Sequence, residues 1–394
     1  MEQVVVVEAC RTAIGTFGGS LKDVPPADLG ATVIRGVLDR SGLEANQVGH
    51  VVMGQVIHTE ARDMYLSRVA AVQAGIPFAT PAFNVNRLCG SGLQAIVSSA
   101  QAIMVGDTTI AIAAGAESMS RAPYISSSHR WGARMGDSVL VDMMTGALAD
   151  PFDKIHMGVT AENVARKFSI SREAQDALAL ESQLRAENAI KNGLFAGQIV
   201  PVLRKTRKGE DVFNVDEHVR FGATAESLKS LSPIFIKENG TVTAGNASGL
   251  NDAAAAVLLM SATEAEKRGF TPMARLVAYA HAGVDPKYMG IGPVPAVRAA
   301  LIRAQLDLND IDVIEANEAF AAQACAVNQE LGLDPGKVNV NGSGISLGHP
   351  IGATGCVITV KALHELKRIG GRHALVTMCI GGGQGIAAIF ERVA

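Results

Sequence analysis

The chain has 394 residues, of which 48% are hydrophobic and 19% charged, and its net charge is −3 at pH 7. This length and composition predict two or three globular domains. The near-neutral charge and the 4% content of aromatic residues give no reason to expect nucleic acid or an anionic membrane as a partner. The five cysteines lie far apart and form no CxxC pair, so neither a disulfide framework nor a metal site is expected.

The beginning of the chain and its apolar runs predict a cytoplasmic location. Residues 1–7 lack the basic segment and the cleavage site of a secretory signal. No run reaches the roughly 18 apolar residues that a membrane span needs. We therefore expect a protein of the reducing cytoplasm that does not contact a membrane.

Residues 1–119 alternate short apolar strands with amphipathic helices. The predicted strands are 4–7, 51–54, 81–85 and 110–115, and the predicted helices are 26–41, 64–75 and a helix that begins near residue 93. Strands that alternate with helices are typical of a parallel sheet covered on both faces.

The pattern changes between residues 120 and 249, where polar turns interrupt it. The segment 171–192 is nevertheless predicted as an amphipathic helix with Ser171 as its N-cap. The basic run 204–208 is predicted as a solvated turn. This region is interpreted as an insertion folded over the sheet, and the alternation of strands and helices returns after residue 251.

The last part of the chain resembles the first part. Segment 339–344 followed by an apolar helix (356–366) matches 84–86, 90–92 and the helix that follows. Segment 374–379, a strand that runs into glycines, matches 110–115. If the two halves arose by duplication, the ends of equivalent strands meet at one site, because active sites of open parallel sheets lie at those carboxyl ends.

Cys89 lies at a predicted strand-to-helix junction, with Gly90 and Gly92 allowing a tight turn beside it. A thiol at a helix N-terminus meets the positive end of the helix dipole, and this favours the nucleophilic thiolate. The alternative is a buried cysteine that packs like a small hydrophobic residue. This stretch by itself leaves both interpretations open.

His349 lies in a second candidate stretch, 341–355, which is rich in glycine. So many glycines indicate a backbone loop packed against a ligand or another chain, and His349 is a candidate general base. A structural histidine in a tight turn is the alternative. A phosphate loop is not supported, because GxxxxGK[ST] is absent.

Two further stretches follow predicted strands. Cys379 precedes the glycines 381–383, whose successive N–H groups form a possible oxyanion nest. The alternative, a dinucleotide site at 383–388, lacks a following ribose-binding acid because the chain stops at residue 394. Asn317, after the predicted strand 313–314, is a candidate for orienting water or an oxyanion, or alternatively a helix cap.

Taken together, the stretches 84–96, 339–355, 379–385 and 317–320 resemble the signature motifs of thiolases, the acetyl-CoA C-acyltransferases, and the likeness runs from end to end. The whole sequence is similar to bacterial cytoplasmic β-ketothiolases that serve polyhydroxyalkanoate precursor synthesis and fatty acid metabolism. The resemblance implies an α/β thiolase fold, with two duplicated five-stranded βα halves in αβαβα layers and an inserted loop domain. The implied boundaries are 1–119 (completed by about 250–270), 120–249 and 271–394.

The implied reaction is a reversible ping-pong Claisen condensation of two acyl-CoA molecules to 3-ketoacyl-CoA and CoA. By resemblance, Cys89 is the nucleophile, His349 the base and an oxyanion-hole group, and Cys379 the acid/base that moves the α-carbon proton. Asn317 would hold a water, and the N–H groups of Cys89 and Gly381 would bind the tetrahedral oxyanion.

The resemblance also implies substrate residues in or near the insertion. The expected residues along the coenzyme A and acyl path are His156, Met157, Arg220, Ser227, Ala244, Ser248, Met289, Leu88 and Phe320. Leu88 stands where many short-chain members have Val, so the acyl chain length stays open. The resemblance implies no permanently bound cofactor and no metal. It also implies a homotetramer built as a dimer of dimers.

Three rival functions share features with this sequence. A ketoacyl synthase shares a cysteine nucleophile on a related fold, but it would use two histidines where this chain has Cys379. A non-catalytic acyl-CoA-binding protein would have a degenerate site, whereas all four stretches are intact. A cysteine hydrolase would release its acyl group to water rather than to coenzyme A.

Overall fold

A computed structural model describes residues 2–206 and 209–393. The strands are β1 Val4–Arg11, β2 Gly15–Thr16, β3 His50–Gly54, β4 Ala82–Val85, β5 Ile110–Ser118, β6 Tyr124–Ile125, β7 Val141–Asp142, β8 Val202–Thr206, β9 Gly209–Phe213, β10 Asn251–Ser261, β11 Ala274–Gly283, β12 Val313–Ala316, β13 His373–Ile380 and β14 Gln384–Arg392. The α-helices are α1 Pro26–Ser41, α2 Leu66–Gln73, α3 Ser91–Met104, α4 Met143–Ala147, α5 Met157–Lys167, α6 Arg172–Lys191, α7 Ala225–Lys229, α8 Ala262–Arg268, α9 Pro293–Ala304, α10 Ala321–Leu331, α11 Gly344–Leu347 and α12 Thr354–Ile369.

The large central sheet has the strand order β12-β13-β14-β11-β1-β10-β5-β3-β4, with the short β2 beside β10. Among the strands within residues 2–206 and 209–393, pairing is parallel only between β3 and its neighbours β4 and β5 and between β12 and β13. The four central strands pair antiparallel. The expected parallel sheet is therefore confirmed for β3, β4 and β5 and for the pair β12 and β13. It is wrong for the rest of the sheet, because β13 and β14 form a hairpin and β10 returns antiparallel to β5 after the insertion.

The sheet consists of two halves with the same topology, as the sequence repeat predicts. The first half has the order β1-β10-β5-β3-β4, and the second has β11-β14-β13-β12 followed by a parallel bridge between Ile314 and Val338. Each equivalent pair of strands has the same direction in both halves. The halves meet where Val5 and Val6 of β1 pair with β11.

Five layers arise because successive strand residues face opposite sides. Helices α3 and α12 contact each other and share one core with the inner faces of both half-sheets. Helices α1 and α2 cover the outer face of the first half, whereas α9 and α10 cover that of the second. Gly92 allows the close contact of the two inner helices, since a Cβ there would lie 2.6 Å from the backbone nitrogen of Cys356.

The segment between β5 and β10 carries the two small hairpins β6-β7 and β8-β9 and the helices α4 to α7. The prediction for α6 is confirmed, since the Ser171 side chain accepts the N–H of Ala174. Residues 207 and 208 of the predicted basic turn lie outside the described residues. No helix within the described ranges is long and apolar enough to cross a membrane.

Candidate active site

The Cys89 turn connects β4 to α3 and is held by local side chains. Asn86 Oδ1 accepts the N–H of Leu88 at 2.9 Å, and the Ser91 hydroxyl donates to the Leu88 carbonyl at 2.6 Å. Leu88 has φ of 44°, in the left-handed region. The expectation that glycines make this turn is wrong, since Gly90 has φ of −80°. Glycine is needed there for packing, because its Cβ would lie 2.5 Å from Ile380.

The residue Cys89 is half-buried, and the surroundings of its thiol disfavour the thiolate. Burial raises the pKa of Cys89 to about 11, although the N–H groups of Gly381 and of Cys89 itself lower it. The negative charge of Glu117 raises the pKa further. The helix N-terminus therefore does not produce a resting thiolate, and the thiol needs a base to become nucleophilic.

His349 is buried in the loop between α11 and α12. Its Nδ1 lies 2.6 Å from the Thr354 hydroxyl, which donates its own proton to the carbonyl of Pro350. Nδ1 must then carry the ring proton, so Nε2 is the basic nitrogen. Burial lowers the pKa of His349 to about 4, which keeps the ring neutral at physiological pH.

Asn251, at the start of β10, fixes the backbone of this loop. Its Oδ1 accepts the N–H of His349 at 3.0 Å, and its Nδ2 donates to the carbonyl of Gly15 at 2.9 Å. Gly348 has φ of 108° and packs directly on the Asn251 side chain. Sequence reasoning missed Asn251, although an Asn that opens a long alanine-rich strand was a visible signal.

Asn317 follows β12 and its amide nitrogen lies 3.4 Å from Nε2 of His349. Its backbone is held by an N–H bond to the Thr377 carbonyl at 3.0 Å. Its side-chain oxygen is buried and accepts no hydrogen bond from residues 2–206 or 209–393. The alternative of a helix cap is thus not what the structure has, since the residue before α10 is Phe320.

Cys379 is fully buried near the end of β13. Burial and the neighbouring Cys89 both raise the pKa of its thiol. The sheet edge thus brings Cys89, Cys379 and the N–H of Gly381 together, and a small apolar cluster that includes Ile351 of the His349 loop also contacts Cys89. The four stretches of the sequence therefore converge on one site.

The predicted substrate residues fall into an inner and an outer group. Met157, Met289 and Phe320 share one apolar cluster with Cys379, and Leu88 lies beside Gly381. The ring of Phe235, which the sequence did not single out, stacks on His156 with centroids 4.7 Å apart and meets Phe320 edge-on.

The outer group lies on the exposed surface of the insertion. Arg220 contacts the carbonyl of Ala244 at 3.3 Å. The Ser227 hydroxyl donates to the Thr224 carbonyl within the α7 cap. Ser248 connects this region to the inner group, because its N–H donates to the carbonyl of Ala319 at 3.0 Å. None of these contacts brings the outer group against Cys89 or His349.

A thiol at the start of a helix, two backbone N–H groups that stabilise its thiolate and a neutral buried imidazole are the parts of a cysteine-based acyl-transfer enzyme. Comparison with known proteins agrees with this class. The chain matches the thiolase N-terminal domain over residues 4–263 and the thiolase C-terminal domain over residues 270–392. The chain belongs to the thiolase family and is an acyltransferase, as the resemblance predicts.

Individual relatives cover almost the whole chain. The beta-ketothiolase BktB of Cupriavidus necator is 70% identical over 391 residues, which are 99% of each chain. The crystal structure of the acetyl-CoA acetyltransferase of Bacillus anthracis is 47% identical with a TM-score of 0.98, covering 100% of this chain and 99% of that one. A human mitochondrial 3-ketoacyl-CoA thiolase in complex with CoA is 45% identical with a TM-score of 0.96, covering 100% and 98%. The predicted thiolase fold is confirmed.

Proposed function

We propose that the chain is a β-ketothiolase that condenses two acyl-CoA molecules to 3-ketoacyl-CoA and CoA, and catalyses the reverse thiolysis, through an acyl thioester on Cys89. The observation that carries this proposal is that the backbone N–H groups of Gly381 and of Cys89 stabilise the Cys89 thiolate and so lower the pKa of that thiol. Donors in that place are positioned to bind the oxygen of a tetrahedral intermediate on the same sulfur.

In the first half-reaction His349 Nε2 takes the proton of the Cys89 thiol. The thiolate then attacks the acyl-CoA carbonyl, the carbon–sulfur bond to CoA breaks, and the CoA thiolate leaves with the proton. A neutral imidazole is the form required for this step, and the buried His349 ring is neutral. The acyl thioester on Cys89 resembles acyl-CoA in energy, so the transfer runs in both directions.

In the second half-reaction the Cys379 thiol passes its proton to His349 Nε2, and the resulting thiolate removes a proton from the α-carbon of acetyl-CoA. His349 returns its proton to the Cys89 thiolate that leaves at the end of this half-reaction. Burial raises the pKa of Cys379, which makes its thiolate a stronger base for a weak carbon acid. The enolate attacks the acyl carbonyl on Cys89, a carbon–carbon bond forms and the bond to the Cys89 sulfur breaks. The enolate oxygen is stabilised by a protonated Nε2 of His349 and by a water that Asn317 holds.

Coenzyme A and acyl-CoA are substrates, with no permanently bound cofactor. The acyl group is assigned to the apolar cluster beside Cys379, lined by Met157, Met289, Phe320 and Leu88. The pantetheine arm passes His156 and Ser248, and the nucleotide lies near Arg220, Ser227 and Ala244. Support comes from the gradient of exposure, because the acyl end is buried while Arg220 and Ala244 face solvent, where charged phosphates keep their hydration.

The domain division, assembly and location follow the same proposal. We assign residues 1–119, completed by β10, to the first catalytic half, 271–394 to the second and 120–249 to a loop domain. A homotetramer, a dimer of dimers, is supported by exposed apolar side chains in that domain, among them Trp131 at 89% and Met135 at 98% exposure. The proposed location is the cytoplasm.

Mass spectrometry of the intact protein after brief exposure to acetyl-CoA tests the central step. One acetyl group on Cys89, located by peptide mapping and discharged by added CoA, is the expected result. Cys89→Ala should form no adduct, while Cys325→Ala, which removes the thiol of another half-buried cysteine, should acetylate normally. A folded and reduced protein with no adduct on Cys89 would exclude the proposed mechanism.

A further inference from the structure

Glu117 occupies, in the first half of the sheet, the position that Cys379 occupies in the second. The last aligned residues of the equivalent parallel strands are Gly54 with Gly115 and Ala316 with Thr377. Glu117 lies two residues after Gly115 of β5, and Cys379 lies two residues after Thr377 of β13. The duplication therefore places a second ionisable side chain at the edge of the sheet where Cys89 lies.

The Glu117 carboxylate accepts three backbone N–H groups from two different segments. Its Oε2 accepts from Val56 at 3.0 Å and from Gly352 at 2.9 Å, and its Oε1 accepts from Ile57 at 3.2 Å. Val56 and Ile57 follow β3, whereas Gly352 belongs to the loop of His349. A fully buried side chain thus connects the first half of the sheet to the loop that carries the base.

Close backbone contacts surround this connection. A Cβ at Gly352 would lie 2.5 Å from Glu117 Oε2. A Cβ at Gly115 would lie 2.6 Å from the Gly352 carbonyl oxygen, and one at Gly54 would lie 2.6 Å from the carbonyl carbon of Ser91 in α3. The His349 loop, the beginning of the Cys89 helix and two strand ends therefore meet with no room for additional side chains between them.

Glu117 also acts on Cys89 through its charge. Burial raises the pKa of Glu117 to about 8, the three N–H groups lower it and the neighbouring Asp63 raises it. The negative charge of Glu117 in turn raises the pKa of the Cys89 thiol, beside which Cys379 also lies. No cation forms an ion pair with Glu117 in the part of the chain that the structure describes, so only the three backbone N–H groups offset its charge when it is ionised.

We propose that Glu117 is a positioning residue of the reaction. Its side chain sets the placement of His349 relative to Cys89 and, when it is ionised, opposes the ionisation of the Cys89 thiol. This inference rests on the proposed function, because only an acyl transfer through Cys89 requires the proton of this thiol to pass to His349.

Two substitutions separate the effect of the hydrogen bonds that Glu117 makes to two segments from the effect of its charge. Glu117→Gln keeps the length but replaces one acceptor oxygen by an NH2 group and removes the charge. Glu117→Asp keeps the charge but is one methylene too short to reach both segments. Both variants should lose roughly 10-fold in kcat for acetyl transfer with KM for acetyl-CoA within about twofold, since small displacements of reacting groups are costly.

Alkylation of Cys89 by iodoacetamide provides the readout that a purely structural role would not change. At pH 9, where Glu117 is ionised, Glu117→Gln should alkylate about threefold faster than the wild type. The two rates should converge at pH 6.5, and Glu117→Asp should follow the wild type at both pH values. Glu44→Gln, which changes an exposed carboxylate, is the matched control and should leave all rates unchanged.

Slower acetyl transfer together with faster alkylation in Glu117→Gln would support the proposal. Folded variants with wild-type kcat and wild-type alkylation would overturn it, and so would failure of both variants to fold, which would assign Glu117 to the stability of the sheet alone. Acetylation of Cys89 in the wild type is measured in parallel. If it is absent the proposed function fails, whereas its presence with unaltered variants refutes only the positioning role.

Discussion

The two halves of the sheet share one topology but present different side chains at equivalent places. One residue beyond the aligned strand ends, the first half has Gln55 and the second has Asn317, and both are buried amides whose side-chain oxygens lack a partner among the described residues. One position further, on the neighbouring strand, Glu117 in the first half corresponds to Cys379 in the second. Duplication therefore supplies the geometry, and the identity of the side chain decides what each position does.

Burial differs between the halves in the same sense. Cys89, from the first half, keeps part of its surface exposed, whereas His349 and Cys379, from the second, are buried. Proton transfer is served by groups shielded from water, because burial shifts their pKa values and excludes competing proton donors. The nucleophile must instead be reached by a large substrate. The first half thus presents the acyl acceptor and the second supplies the acid/base chemistry.

The largest expected effect comes from removing the thiol of Cys379, whose equivalent in the first half is the carboxylate of Glu117. Cys379→Ala should still acetylate Cys89, because that step needs only His349. Condensation should fall by about 10²–10⁴, the contribution of a positioned acid or base. Burst-phase acetylation and steady-state condensation, measured on the same sample, separate the two steps.

Cys325→Ala is the control, since this thiol lies on α10 and contacts the carbonyl of Ala174. It should leave both rates at the wild-type value. An unaltered condensation rate in Cys379→Ala would refute the assignment of α-proton transfer to Cys379 and with it the division of labour between the halves.

The equivalent amides offer the next test. Asn317→Ala should lower condensation about 10²-fold, as expected when one oxyanion-stabilising group is lost. Gln55→Ala should stay within about threefold, because Gln55 Nε2 is engaged with the Ile57 carbonyl and the Asp63 carboxylate. Its loss should instead appear as a lower Tm. Equal losses of activity in the two variants would mean that both halves contribute an amide to the chemistry.

Much of this comparison could be predicted from the sequence, because local signals determine it. Apolar periodicity predicts α1 with its observed ends, Ser171 caps α6 as expected, and the repeated Asn-rich stretches reveal the duplication. Cys89, Asn317 and Cys379 were predicted at or after strand ends and His349 in a glycine-rich loop, and the structure brings these segments together. Their individual chemical roles remain proposals.

The remaining features depend on contacts between distant segments. The antiparallel centre of the sheet was missed because the glycines 381–383 were interpreted as an anion nest or as part of a dinucleotide site, although they form the turn of the β13-β14 hairpin. Glu117 and Asn251 bind backbone N–H groups far away in sequence, and such partners leave no periodic signal. The raised pKa of Cys89 was missed because burial, which the sequence does not give at a single position, outweighs the helix N-terminus there.

The smallest expected effect is a pH dependence of stability with opposite signs in the two halves. Burial lowers the pKa of His349 from 6.5 to about 4, so between these values the unfolded chain binds the proton and the folded chain does not. Stability from this group therefore falls as the pH drops from 7 to 5, by about 2 kcal/mol. The pKa of Glu117 is raised, so its contribution is present at low pH and is lost as the pH rises through about 8.

Urea unfolding at pH 5, 7 and 9 resolves the two contributions. The half-buried His218 and His281 act in the same direction as His349, so the informative measurement is the difference between each variant and the wild type. Between pH 7 and pH 5, the free energy of unfolding of His349→Asn should fall by about 2 kcal/mol less than that of the wild type. Between pH 7 and pH 9, the free energy of unfolding of Glu117→Gln should fall by less than that of the wild type. His58→Asn, at an exposed site, should keep the wild-type dependence. If His349→Asn keeps it too, the imidazole is protonated in the folded protein at pH 5, and a charged second half would contradict the neutral base that acylation of Cys89 requires.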